Sequence, residues 1–206
     1  EAGQDIRKAM KAQSGLSSEL WDFLKAHYGE LEKSFSVNER EGLALLAAEA
    51  SLYDLAFHLG LQDPFFRCQA ALYLGRKSEF LKSFSELNGP KKDAVEMSRL
   101  RMEGSFVEAI EVFEKRISPN LMANSLKPRD HAEILLWAGS PYFNASRYAT
   151  AFNLYLEAAK GFFDEGSLGK AAIAFFNAAV SADYLGLAHE VTDLLNRVDE
   201  LLNRYA

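Results

Sequence analysis

The chain has 206 residues, a net charge of −6 and a pI near 5.3, which excludes the broad basic face that nucleic-acid binding needs and disfavours docking on anionic lipid. With 49% apolar and 25% charged residues it has the composition of an ordinary soluble folded protein, long enough for one sizeable core or one elongated solenoid. No apolar run approaches the ~18 residues of a membrane span, and a lone cysteine, Cys68, excludes an internal disulfide.

In chain order, residues 1–16 are polar with scattered Ala, Ile and Met, which predicts a flexible N-terminal arm. Ser17 and Ser18 offer a cap for a helix carrying Leu20, Trp21, Leu24 and Tyr28 at helical steps. Ser36 with Glu39 reads as a capping box that opens a long helix through Leu43, Leu46, Ala47, Leu52, Leu55 and Ala56 to a stop at Gly60. Asp63-Pro64 is the clearest helix start, and that helix ends by Gly75. A short helix with Phe80, Leu81 and Phe84 is expected to stop at Gly89-Pro90. Another pair follows, Ala94 to Met102 and then, past Gly104, Phe106, Ala109, Ile110 and Phe113. Residues 119–129, with Pro119, Asn120, Asn124, Ser125 and Pro128, read as a loop or linker. Asp130 with Glu133 predicts a second capping box opening four final helices, with breaks near 144–147, 166–167 and 185–186. Strand signals are absent: no sustained two-residue alternation and no Asn-Gly or Asp-Gly hairpin.

The last part of the chain repeats itself. Gly139, Tyr142, Ser146, Tyr148, Ala151, Tyr155 and Ala158 are matched forty residues later by Ala179, Ala182, Gly186, Ala188, Val191, Leu195 and Val198. Gly104, Phe106, Ala109 and Phe113 echo part of the pattern upstream. Small residues let helix backbones approach, and bulky ones fill the grooves between them.

The offsets of Gly139, Tyr142, Ala151, Tyr155 and Ala158 resemble the tetratricopeptide repeat, over roughly the last eighty residues. The pitch is longer than that family's ~34 residues, its closing Pro is absent, and Pro141 falls inside a first helix. The longer pitch is similar to the helical repeats of the SNAP vesicle-fusion adaptors. The resemblance implies an all-α fold of antiparallel helical hairpins stacked in a right-handed superhelix, an α-α solenoid. Residues 17–118 would form less regular hairpins and 130–206 the tetratricopeptide-like ones, in one continuous solenoid spanning 17–206.

Catalytic chemistry finds little footing. There is no phosphate-cradling glycine loop, no GxGxxG and no GxSxG elbow. His189-Glu190 opens like a zinc-protease helix, but Asp193 stands where the second His is required. His27, His58, His131 and Cys68 lack ligand spacing, and Asp164-Glu165 and Asp199-Glu200 read as solvated helix ends. Arg76, Lys77 and Lys82, and likewise Lys91, Lys92, Arg99 and Arg101, are interrupted by acids and read as solvated faces. Asn144-Ala145-Ser146 matches a glycosylation sequon, which matters only in a secretory pathway. The family's carboxylate clamp for chaperone C-termini uses Asn beside the small residue; Ser140 and Val180 stand there. No catalytic, cofactor or metal residue is therefore expected.

In the repeat register the first helices present Leu136, Trp137, Phe143, Phe176, Val180 and Tyr184 to the concave side. Such an apolar, aromatic surface suits an amphipathic helix or extended peptide, or else packs against other helices of the chain. The expected function is a non-catalytic scaffold or adaptor that binds a protein or peptide partner and assembles a complex. The alternatives are a self-associating structural component of a bacterial envelope or appendage, a homo-oligomer, and a ligand-sensing regulator. Neither nucleic acid nor membrane insertion is expected. A cytoplasmic location is favoured, while the opening Glu-Ala-Gly without Met keeps open an excised piece or a periplasmic or secreted mature chain.

Overall fold

The computed structural model describes residues 18–31, 35–49, 52–122 and 126–205, and the expected N-terminal arm lies outside the described residues. Among the described residues the chain is all-α, without strands. None of these helices is long and apolar enough to cross a membrane. The chain divides into two compact units, residues 1–87 and 88–206.

The first unit contains α1 (Ser18–Leu31), α2 (Val37–Glu49), α3 (Tyr53–His58), α4 (Pro64–Tyr73) and α5 (Lys77–Glu86). The capping box at α2 is formed: the Glu39 amide donates to Ser36 Oγ at 3.3 Å and the Ser36 amide to Glu39 Oε2 at 2.8 Å. Asp63 Oδ1 accepts the amides of Phe65 and Phe66 at 2.9 and 3.1 Å, with Pro64 in the first turn of α4. The single helix expected from Ser36 to Gly60 is instead two. The Leu52 amide reaches back five residues to the Ala47 carbonyl, a closure that ends α2 before the chain restarts at Tyr53. α2 packs on α3 and α4 on α5, around Leu43, Ala47, Ala56, Phe65, Cys68 and Ala70.

The second unit begins with α6 (Gly89–Met102) and α7 (Phe106–Val112). A π-helical turn, Phe113–Ile117, runs from α7 into α8 (Ser118–Met122). Then come α9 (Pro128–Asn144), α10 (Tyr148–Asp164), α11 (Leu168–Tyr184) and α12 (Ala188–Tyr205). Gly89-Pro90, expected as a stop, forms the first turn of α6, where the missing proline N–H has no helical partner to lose. Part of the expected linker is helical, as α8. The capping box expected at Asp130 and Glu133 does not form, because α9 starts earlier, at Pro128. Both acids then lie inside the helix, buried against neighbouring helices.

α9, α10 and α11 are seventeen residues long and α12 eighteen, and one turn joins them. The residue after each break adopts a left-handed conformation, Ser146 at φ 59°, Gly166 at 74° and Gly186 at 73°. The next amide then reaches six-to-one onto the ending helix: Arg147 to the Tyr142 carbonyl, Ser167 to Phe162 and Leu187 to Ala182. That pairing satisfies carbonyls that a helix end leaves orphaned. The same turn, with Gly104 at φ 82°, joins α6 to α7. Ser146 holds this conformation with a side chain, where glycine alone avoids the steric cost.

Each helix from α9 to α12 packs on the next, and α6 and α7 also pack on α9, an arrangement that fits a helical solenoid. Close approach comes from small residues. A Cβ on Gly139 would stand 2.7 Å from Tyr155 Cδ1, and one on Gly161 would stand 2.9 Å from Ala132 Cβ. Ala151, Ala158, Ala159, Ala171, Ala174, Ala178 and Ala182 are fully buried along these helices. Pro141 is buried inside α9, which continues past it to Asn144.

Candidate functional site

Two contacts fix how α9 and α11 lie. Near their starts, Lys170 Nζ on α11 donates to Glu133 Oε2 on α9. At their ends, the rings of Phe143 and Tyr184 meet edge-on, with centroids 5.2 Å apart. Starts lie with starts and ends with ends, so the two helices run side by side in the same sense. Tyr148, first residue of α10, completes an aromatic trio, stacked on Tyr184 at 4.7 Å and edge-on to Phe143 at 5.3 Å.

On α11, Ile173, Phe176, Val180 and Tyr184 recur at steps of three and four, so they share one helix face. Ile173, Phe176 and Tyr184 are 51%, 50% and 60% exposed, and Val180 is half-buried. On α9, Leu136 and Phe143, seven residues apart, are half-buried and belong to one face with Ser140. Trp137 is different: it is 7% exposed, and its Nε1 donates to Glu133 Oε1 at 3.0 Å. The residues expected from sequence thus fall into an exposed set on α11, a half-buried set on α9 and one interior ring. Ile173 and Tyr148 are additions. Ile173 was legible as the position three before Phe176; Tyr148 joins only through the turn after α9.

The α11 face carries no charge between Lys170, which is buried, and Asp183. The interior, by contrast, holds charged groups, with Glu133, Lys170 and Asp130 all buried. Burial pushes the Lys170 amine below its ordinary pKa, with Glu133 pulling the other way, and burial likewise lowers Arg129 against Glu133 and Asp130. Lys170 also lies over the Phe162 ring, 5.5 Å from its centroid. Asp130 is bound by Lys91 of α6 at 2.8 Å. On the π turn, Glu114 accepts Tyr142 Oη at 3.0 Å and Arg147 at 3.1 Å, and burial with Glu114 raises the Tyr142 pKa. Burial pushes Tyr155 up to about 12.

The basic residues on and beside α6 are engaged with acids: Arg99 with Glu96 and Glu103, Arg116 with Asp93, Lys91 with Asp130. In the first unit the buried Cys68 thiol is pushed up to about 12, chiefly by burial. A hollow of about 300 Å³ there is lined by Lys25, Leu52, Tyr53, Asp54, Leu55 and Leu74. Among the described residues, no three of His, Cys, Asp or Glu gather as metal ligands would.

Comparison with protein-family models, with curated proteins and with solved structures found no match to this chain.

Proposed function

We propose that the protein is a non-catalytic adaptor of tetratricopeptide-like architecture, whose antiparallel hairpins stack in a right-handed superhelix and present α9 and α11 to a partner. The partner is a protein, engaged through a helix or peptide that lies along Leu136, Phe143, Ile173, Phe176, Val180 and Tyr184. One observation carries this reading: α11 exposes three large apolar side chains on a single uncharged face while its other side is buried. Large exposed apolar side chains aligned in a stripe mark interaction sites, whereas scattered ones do not. Binding grooves of this kind gain most of their affinity from a few aromatic anchors, ~2 kcal/mol or more each. Phe176→Ala and Tyr184→Ala therefore leave the melting temperature close to wild type and abolish capture of the partner. Retained capture by both variants, at wild-type stability, moves the binding site to another face.

A second reading is favoured by α12, whose Leu195 and Leu202, seven residues apart, are 39% and 49% exposed on one face. Here the chain is a structural component that self-associates. Light scattering across a concentration series separates the two: a monomer at all concentrations supports the adaptor, and growth with concentration supports assembly.

A further inference from the structure

The buried surfaces of α9, α10 and α11 are rich in alanine and glycine, set around the larger side chains of Ile134, Tyr155, Phe162 and Phe175. Ala132, Gly139, Ala158, Gly161, Ala171 and Ala178 set how closely the helices approach. Gly139 against the Tyr155 ring and the short turns at 145–147 and 165–167 place each helix on its neighbour in sequence. α9 and α11, however, share no turn, and small side chains alone define an axial position weakly, a helix surface of alanines looking similar after a shift of one turn, ~5.4 Å. A directional contact is needed to choose among such positions.

Glu133 supplies one. Its two carboxylate oxygens are divided between partners, Oε1 taking the Trp137 Nε1 hydrogen and Oε2 taking Lys170 Nζ. All three side chains are buried. Removing two charges from water is costly, and apolar residues of similar volume are often as stabilising, so stability alone is a weak reason for the pair. Polar contacts in an apolar interface are best attested as selectors of register.

We propose that Glu133 and Lys170 are a register pin that selects the axial position of α11 on α9. Trp137 holds the Glu133 carboxylate in place, and the Lys170 amine reaches it only in the correct register. At the far end Phe143 and Tyr184 mark the same register. They lie roughly 15 Å along α9 from Glu133, ten residues at 1.5 Å each. A slip of one turn separates these rings and breaks the exposed face. That consequence rests on the docking reading above; the pin itself does not.

The test is made in the full chain with Trp21→Phe, so that Trp137 is the only tryptophan. Lys170→Met alone leaves the buried Glu133 carboxylate with the Trp137 hydrogen bond and the nearby Arg129 charge but without its ion-pair partner, and lowers the urea midpoint. Adding Glu133→Gln keeps an acceptor for Trp137, removes the charge and restores the midpoint towards the parent. In this double variant the pin predicts amide exchange in residues 168–184 at least about tenfold faster than in the parent, and more than one Trp137 fluorescence lifetime. Parental exchange with a single lifetime overturns the proposal, since the register would then stand without the pair. Should the double variant not fold, Glu133→Asp decides, since it keeps an acceptor for Trp137 and the charge but draws the carboxylate back by one methylene: faster exchange in residues 168–184 supports the pin, and parental exchange overturns it.

Discussion

Gly139 lies within α9, where Ala would ordinarily be favoured by about 1 kcal/mol through helix propensity alone. Here the added Cβ would stand 2.7 Å from Tyr155 Cδ1, on a ring that is itself buried in α10. The ring cannot swing into solvent, so the backbones must part. Overpacking of this kind costs about 1–3 kcal/mol. After the propensity gain, Gly139→Ala should be destabilised by about 0–2 kcal/mol, whereas the same change on an open helix surface stabilises by about 1 kcal/mol. The second copy of the repeat carries Ala179 and Leu195 at the equivalent places, a larger small residue with a smaller bulky one. Tyr155→Leu should therefore relieve the clash, and the two changes should couple by about 1 kcal/mol or more in a double-mutant cycle. Urea unfolding followed by circular dichroism gives all four stabilities. A Gly139→Ala protein that is about 1 kcal/mol more stable than wild type would refute the reasoning, because propensity would then be acting alone.

The remaining expectations use the same equilibrium melts. Ala151 is fully buried at the α10 packing surface, so Ala151→Asp should cost roughly 3–5 kcal/mol through an unpaired buried charge; curves that overlay wild type would place the residue at the surface. Trp137→Ala should cost about 3–5 kcal/mol of folding as a core truncation, whereas Phe176→Ala should leave the melting temperature nearly unmoved. The Tyr155 pKa is raised from 10.0 to about 12, so the folded state holds its proton longer than the unfolded chain. Its stabilising contribution is complete below pH 10 and is lost between pH 10 and 12. Tyr155→Phe should fall less steeply there, by about 2–3 kcal/mol, while Tyr142, also raised, titrates in both proteins.

What the sequence made legible was largely local. Gly104, Gly166 and Gly186 mark breaks because a left-handed residue is needed after each helix, and Ser146 shows that the position matters more than glycine. The small and bulky residues of the repeat lie where close packing requires them, Gly139 against Tyr155 most directly. Long-range pairing was not legible. Glu133 and Lys170 stand thirty-seven residues apart, and in sequence a glutamate near a helix start reads as a cap, a lysine as a solvated charge. Trp137 follows Leu136 by ~100° around the helix, so two adjacent bulky residues cannot both face the same groove. That geometry was available from the sequence; which of the two turns inward depends on the buried carboxylate that receives the indole.

The adaptor reading is tested most directly by photo-crosslinking from chosen positions in cell extract. A photoreactive side chain is placed at position 176 on the exposed α11 face, and in a second protein at position 163, where Phe163 is comparably exposed at the end of α10. The account predicts one discrete crosslinked protein from position 176, lost when Tyr184→Asp is added and absent from position 163. Equal products from both positions, or a product from 176 that is indifferent to Tyr184→Asp, would contradict it.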